Sequence, residues 1–321
     1  MKTISKDTQA ILLLCGQWDK QKTLEKPLTL SEYNRLVDWL KQKGLRPKDL
    51  MQPETFEDDV SFSFDASRVK YLMGRGGSMA VDVERWLNSG GWVISRADED
   101  YPKRLKDKLG KYAPPLFYGI GQRELLSKGG VAFVGSRDVS KDGEKATQSI
   151  SSCCAKKQIS VISGGARGVD QIAMRSALDA GGIVVGILAN DLSRLSFSPD
   201  CREAIEGSVL VLLSPFHPTA GFHVGNAMAR NKVIYALSDA AIVISSSYRK
   251  GGTWEGAVEN LRKWKIPLFV RQDNSLEGNV HLIKEGAFAL PSDAYEHPEC
   301  LFDFNHSKSS PKCSEFLFNI S

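Results

Sequence analysis

The sequence predicts an α/β protein. A doubly wound, mostly parallel sheet over residues 122–291 follows a small, mainly helical segment over residues 1–121, and a polar tail covers residues 292–321. Three observations carry this. Short Val/Ile/Leu-rich runs alternate with helical segments from Gly129 onward. Two of the runs end in glycine turns followed by arginine, Gly135-Ser136-Arg137 and Gly164-Gly165-Ala166-Arg167-Gly168. Upstream of residue 121 the apolar spacing is helical instead. Near-continuous apolar strands imply a sheet covered on both faces, and alternation with helices implies parallel order.

The elements follow in chain order. Leu30 to Leu40 has a helical apolar period, with Ser31 as the expected N-cap. The acidic stretch Thr55 to Phe64 breaks that pattern and reads as a loop. Arg68–Met73, Gly74–Gly77 and Met79–Leu87 read as helix, glycine turn, helix, either a backbone-gripping helix–hairpin–helix or a packing hairpin. Trp92–Ser95 is a short strand, and Tyr101–Lys111 is a basic lead-in that Pro114-Pro115 terminates. Strands are then predicted at Val131–Val134, Ile159–Ser163, Ile183–Leu188, Ser208–Leu213, Ala241–Ser245 and Ile266–Val270. Helices are expected at Gly143–Lys157, Val169–Ala180, Asn226–Ser238 and Thr253–Trp264.

Composition excludes several classes. Apolar residues at 42% and charged residues at 25% are those of an ordinary folded chain, not a disordered one. The net charge of +4 is mild, so any basic footprint must be local. Six cysteines without a C-x-x-C pair suggest neither a disulfide framework nor a zinc site and point to a reducing, cytoplasmic setting. No apolar stretch approaches the ~20 residues of a membrane span, so no membrane partner is expected. The five histidines lack metal-ligand spacing, and neither a G-x-G-x-x-G nor a P-loop signature occurs, so no cofactor is expected.

The candidate ligand edge is the carboxyl end of the parallel strands. At a strand–glycine–helix turn, backbone N–H groups and the positive end of the helix dipole face one small volume and hold an anion. The candidate phosphate-binding residues there are Gly135, Ser136, Arg137, Ser163, Gly164, Gly165, Arg167, Gly168 and Asp170. Arg230, Asn231 and Lys232 add a basic helix edge, and Gly252 and Thr253 open a third glycine turn. Arginines at strand ends also cap carbonyls, and Asp170 at a helix start complements the dipole or orients Arg167. Glu255 and Glu259 lie one helical turn apart, as a surface pair would.

Val134-Gly135-Ser136-Arg137, Ser163-Gly164-Gly165-Ala166-Arg167-Gly168-Val169-Asp170 and Arg230-Asn231-Lys232-Val233-Ile234 occur in an order that resembles the DNA processing protein A (DprA/Smf) family. The resemblance covers about Tyr101 to Leu290 and implies an extended Rossmann-like fold that binds single-stranded DNA; no catalytic residues are expected. It further implies loading of a RecA-type recombinase in DNA uptake or recombination, usually by a homodimer. By position, Ser136, Arg137, Gly164, Arg167, Arg230, Asn231 and Lys232 would line the DNA groove. Departures are Met174 in place of a family histidine, a rewritten Gly252-Thr253-Trp254-Glu255 loop, and no counterpart of the family's C-terminal winged-helix domain. Dimer contacts are therefore expected on the α/β domain, around Trp254, Trp264 and Phe269, unless these are core. The rival within the same superfamily is a nucleotide-binding or nucleoside-monophosphate phosphoribohydrolase-like protein. Here Glu255 follows Thr253 by two residues where that enzyme's loop has three.

Overall fold

The structure, a computed structural model, describes residues 4–17, 25–56, 59 and 61–298. The helical start comprises α1 (Lys6–Cys15), α2 (Leu30–Gln42), α3 (Ala66–Met73) and α4 (Gly76–Asn88). α2 is capped by Thr29, not Ser31: the Thr29 hydroxyl accepts from Glu32 N–H while the Glu32 carboxylate accepts from Thr29 N–H. This reciprocal box satisfies two donors that a Ser31 cap would leave open. The α3–α4 turn is a packing hairpin. It buries Val69, Leu72, Met79, Val83 and Trp86, and Arg75 donates to the Leu13 carbonyl.

The chain then alternates: β1 (Gly91–Ser95), α5 (Lys103–Leu109), β2 (Leu116–Ile120), β3 (Val131–Val134), α6 (Lys141–Lys156), β4 (Val161–Ser163) and α7 (Val169–Asp179). It continues through β5 (Val184–Ile187), α8 (Leu192–Ser196), α9 (Pro199–Glu206), β6 (Leu210–Ser214), α10 (Val224–Leu237) and β7 (Ala240–Val243). The last elements are α11 (Gly251–Glu259), β8 (Leu268–Arg271), α12 (Glu277–Lys284), β9 (Phe288–Leu290) and α13 (Ser292–Glu296). A single π turn, Asn260–Trp264, extends α11.

All nine strands form one sheet, ordered β1-β2-β6-β5-β4-β3-β7-β8-β9. β1–β2 and β2–β6 are antiparallel; the remaining pairs are parallel. The order reverses at β3, the first strand of the parallel set, which is a topological switch point. Val131 and Phe133 face one core with Ile150, Cys154 and Val169, while Ala132 and Val134 face the other with Tyr235, Trp254 and Leu282.

Two expectations need correction. The division at residue 121 does not separate two cores. β1 and β2 join the sheet, and α1–α4 bury Leu12, Leu36, Leu72 and Trp86 in the same apolar cluster as Val131 and Phe133. β2 escapes a reading of the sequence because Gly119 interrupts its five residues and the strand borders a Pro-Pro pair. In the basic lead-in, Arg104 pairs with Asp239 at 2.5 Å and Lys108 Nζ donates to the Ser238 carbonyl. Trp254 and Phe269 are core residues at 8% and 4% exposure, and Trp264 is half-buried, so they do not form an exposed aromatic face. Of the polar tail, α13 lays Ala294 against α6; residues 299–321 lie outside the described residues.

Candidate functional site

A cleft of about 620 Å³ opens at the carboxyl edge, between the β3 and β7 turns on one side and α10 and α11 on the other. It brings together Gly135, Ser136, Arg137, Asp170, Arg230, Asn231, Gly252 and Thr253 of the expected residues. Ser163, Gly164, Gly165 and Gly168 form the frame behind it, while Arg167 and Lys232 do not line it.

The first turn faces the cleft. Ser136 N–H donates to Ser245 Oγ at 3.1 Å, and Ser136 Oγ accepts from Asp138 N–H. Arg137 is exposed, and its guanidinium carbon stands 4.9 Å from the Phe222 ring centre. The second turn behaves differently. Asp170 Oδ2 accepts from the amides of Gly164 and Ala166 at 3.2 and 3.4 Å. The nest expected to hold a ligand phosphate is thus filled by the chain's own carboxylate. Gly168 stands at φ +86°, and a Cβ there would lie 2.3 Å from the Ser136 carbonyl oxygen, so the two turns stack directly. Ser163 Oγ is consumed by the Phe133 carbonyl.

Asp170 does not orient Arg167, whose guanidinium reaches out to Asp138 at 2.5 Å with both side chains largely in solvent. It faces Arg230. That arginine is 5% exposed, and its Nη1 donates to the Ile187 carbonyl at 2.6 Å. A Cβ on Gly164 would lie 1.4 Å from the same nitrogen, so only glycine lets the guanidinium lie there. Arg230 Nε and the buried Tyr235 hydroxyl have no hydrogen-bond partner among the described residues. Lys232 turns away from the cleft, half-buried near Glu259 and Lys263, and burial lowers its pKa.

Burial pushes the Asp170 carboxyl up to about 6, against the pull of Arg230 and of the two amides. The folded chain therefore keeps this proton up to about pH 6, whereas an unfolded aspartate releases it near 3.9. Folding is penalised above pH 6, and the penalty fades as pH falls toward 4. About two units of raised pKa correspond to about 3 kcal/mol. Stability measured by urea unfolding should therefore rise for Asp170→Asn relative to the parent as pH goes from about 4 to about 7. A difference independent of pH would show that Asp170 ionises normally.

The third turn leaves its amides uncapped. α11 starts at Gly251 after Lys250, and no side chain caps it, so its first amides and dipole point into the cleft beside the exposed Lys250 ammonium. Two long-range bonds hold this turn in place: Thr253 Oγ1 donates to the Gly135 carbonyl and Asn231 Nδ2 to the Gly252 carbonyl. Glu255 lies at the cleft mouth, and Glu259 pairs with Lys263 at 2.8 Å.

Sequence reasoning missed Phe222, Val224 and Met228, an apolar rim 52%, 62% and 41% exposed. The signal was a phenylalanine in a Pro/Gly/His loop just ahead of a helix. In that loop His217 bonds Asp82 at 2.7 Å and Thr219 at 2.9 Å, and His223 caps α10. Among the described residues no group of His, Cys, Asp or Glu side chains could hold a metal ion, and no helix is long and apolar enough to cross a membrane.

The family model for DNA recombination-mediator protein A matches residues 92–297. DNA processing protein DprA of Streptococcus pneumoniae is 31% identical over 269 residues, covering 79% of this chain and 93% of that one. Protein Smf of Escherichia coli is 30% identical over 214 residues, covering 64% of this chain and 56% of that one. The crystal structure of the S. pneumoniae protein shares the fold at a TM-score of 0.70 with 21% identity, covering 94% of this chain and 99% of that one. DNA processing protein A from Helicobacter pylori, a structure described for its single-stranded DNA binding mode, aligns at a TM-score of 0.53 with 26% identity, covering 62% and 90%. With the match over 206 of 321 residues (92–297) and a relative 31% identical across most of both chains, the chain belongs to the DNA recombination-mediator protein A (DprA/Smf) family.

Proposed function

We propose that this protein binds single-stranded DNA along the cleft with little sequence preference. The observation that carries the reading is the meeting of the uncapped α11 N-terminus and Lys250 with Arg137 and the exposed Phe222 ring in one cleft. Amides and cations suit backbone phosphates, and an exposed ring offers a stacking platform that tolerates any base. The relative from H. pylori is described by its single-stranded DNA binding mode, which supports the same chemistry. Assistance to a RecA-type recombinase in DNA uptake or recombination, a homodimeric state and a cytoplasmic location complete the proposal. Light scattering and a pull-down with the host recombinase test the first two.

Affinity for a labelled oligonucleotide, read by fluorescence anisotropy, should fall with salt with a log–log slope of roughly −0.7 per phosphate neutralised. Absence of binding at low salt would overturn the proposal. Glu255 at the cleft mouth favours a second reading, in which the cleft binds or hydrolyses a nucleoside monophosphate. Free base released from a monophosphate, and abolished in Glu255→Gln, would establish that reading; none is expected.

A further inference from the structure

Outside the cleft, three lysines at the outer face and end of α6 face one cavity. At 100° per residue, Lys141, Lys145, Gln148, Ser152 and Lys156 fall within an arc of about 80°. All but Ser152, which is half-buried, are exposed. Below Lys141 this face borders a cavity of about 620 Å³, whose lining includes Lys145, Gln148, Ser152, Lys156 and Lys157 of α6 and its end, and Pro298 from the segment after α13. No carboxylate lines it among the described residues. Glu144 reaches the face from its edge, accepting from Gln148 Nε2 at 3.3 Å.

This face begins next to the cleft along the chain. α6 is capped by Ser140, three residues after Arg137, so its first turn sits at the carboxyl edge of the sheet. Asp138, between Arg137 and the Ser140 cap in the chain, pairs with the exposed Arg167, which places Arg167 beside the start of α6. From Lys141 to Lys156 the helix descends about 22 Å. Lysines are flexible point charges without a bidentate fork, suited to successive phosphates of a polyanion more than to one fixed small anion.

We propose that single-stranded DNA leaving the cleft runs down the outer face of α6, where Lys145 and Lys156 hold its phosphates. The inference rests on the reading of the cleft as a DNA site. The start of α6 four residues after Arg137, at the edge that carries the cleft, favours DNA over an acidic protein segment as the occupant.

The test uses the full chain, two labelled oligothymidylates and anisotropy at several salt concentrations. One oligomer has about 4 nucleotides, to fill the cleft alone, and the other about 16 or more. The double variants are Lys145→Glu with Lys156→Glu, and Lys145→Gln with Lys156→Gln. Because both lysines are exposed, melting temperatures should match the parent. Both variants should bind the short oligomer within twofold of the parent. They should bind the long one about tenfold more weakly, with a salt slope shallower by about 1.4, that is, about 0.7 for each of two phosphates. Long-oligomer binding unchanged in both variants would overturn the inference while leaving the cleft intact. Failure of the parent to bind either oligomer would overturn the cleft reading and this inference together. An acidic peptide that displaces the long oligomer only from the parent's α6 face would reassign the surface to a protein.

Discussion

Arg230→Ala is expected to lower folding stability by about 3–5 kcal/mol, the cost typical of removing one partner from a buried charged pair. Position in the family motif would make Arg230 a ligand contact whose loss weakens binding and leaves the fold alone. Its surroundings argue otherwise. The guanidinium lies against Gly164, donates to the Ile187 carbonyl and offsets the charge of Asp170, which is itself buried. Truncation leaves that carbonyl without its donor, removes the offsetting charge and opens a void behind the second turn. Urea unfolding measures the effect, and Arg230→Lys should recover only part of it, since an ammonium lacks the planar reach. A variant as stable as the parent that has lost only DNA binding would return Arg230 to the ligand side of the cleft.

Arg137→Ala should show the opposite pattern. The side chain is exposed, leans over Phe222 at 4.9 Å and borders the cleft. A hydrogen bond to a charged group is worth about 1.5–3 kcal/mol, so affinity for single-stranded DNA should drop about tenfold or more. The melting temperature should stay within error, because an exposed cation–π contact contributes only about 0.5–1 kcal/mol. The salt slope should become shallower by about 0.7 if one phosphate contact is lost. Anisotropy and thermal unfolding on the same sample separate the outcomes. Equal binding by the folded variant would leave Lys250 and the α11 N-terminus as the sole anion pole of the cleft.

The contrast between these two arginines shows where a linear reading stops. Both follow short apolar runs or occupy motif positions, and nothing local tells a buried guanidinium from an exposed one. Arg230 is buried because the Ile187 carbonyl, 43 residues away, and the bare backbone of Gly164 meet it. The second glycine turn reads as a phosphate cradle with the same justification as the first. Its amides are taken by Asp170, four and six residues on, a contact that only the path of the turn permits. The turn whose amides no side chain caps is the third, held in register by Thr253 bonding to Gly135 across 118 residues.

Sequence alone determined the alternation of buried strands and helices, hence the parallel sheet, and the order of glycine–arginine motifs, hence the family and the edge that carries the cleft. Those properties are written in local periodicity, because burial on both faces of a strand demands an apolar run and a tight turn demands glycine. Tertiary structure decided the rest: that β1 and β2 extend the sheet antiparallel, that the helical start shares its core, and which amides and cations remain open to a ligand. The physical reason is that a hydrogen-bonding group is spent or free according to which distant partner the fold brings to it, and a chain pattern records the group but not the partner.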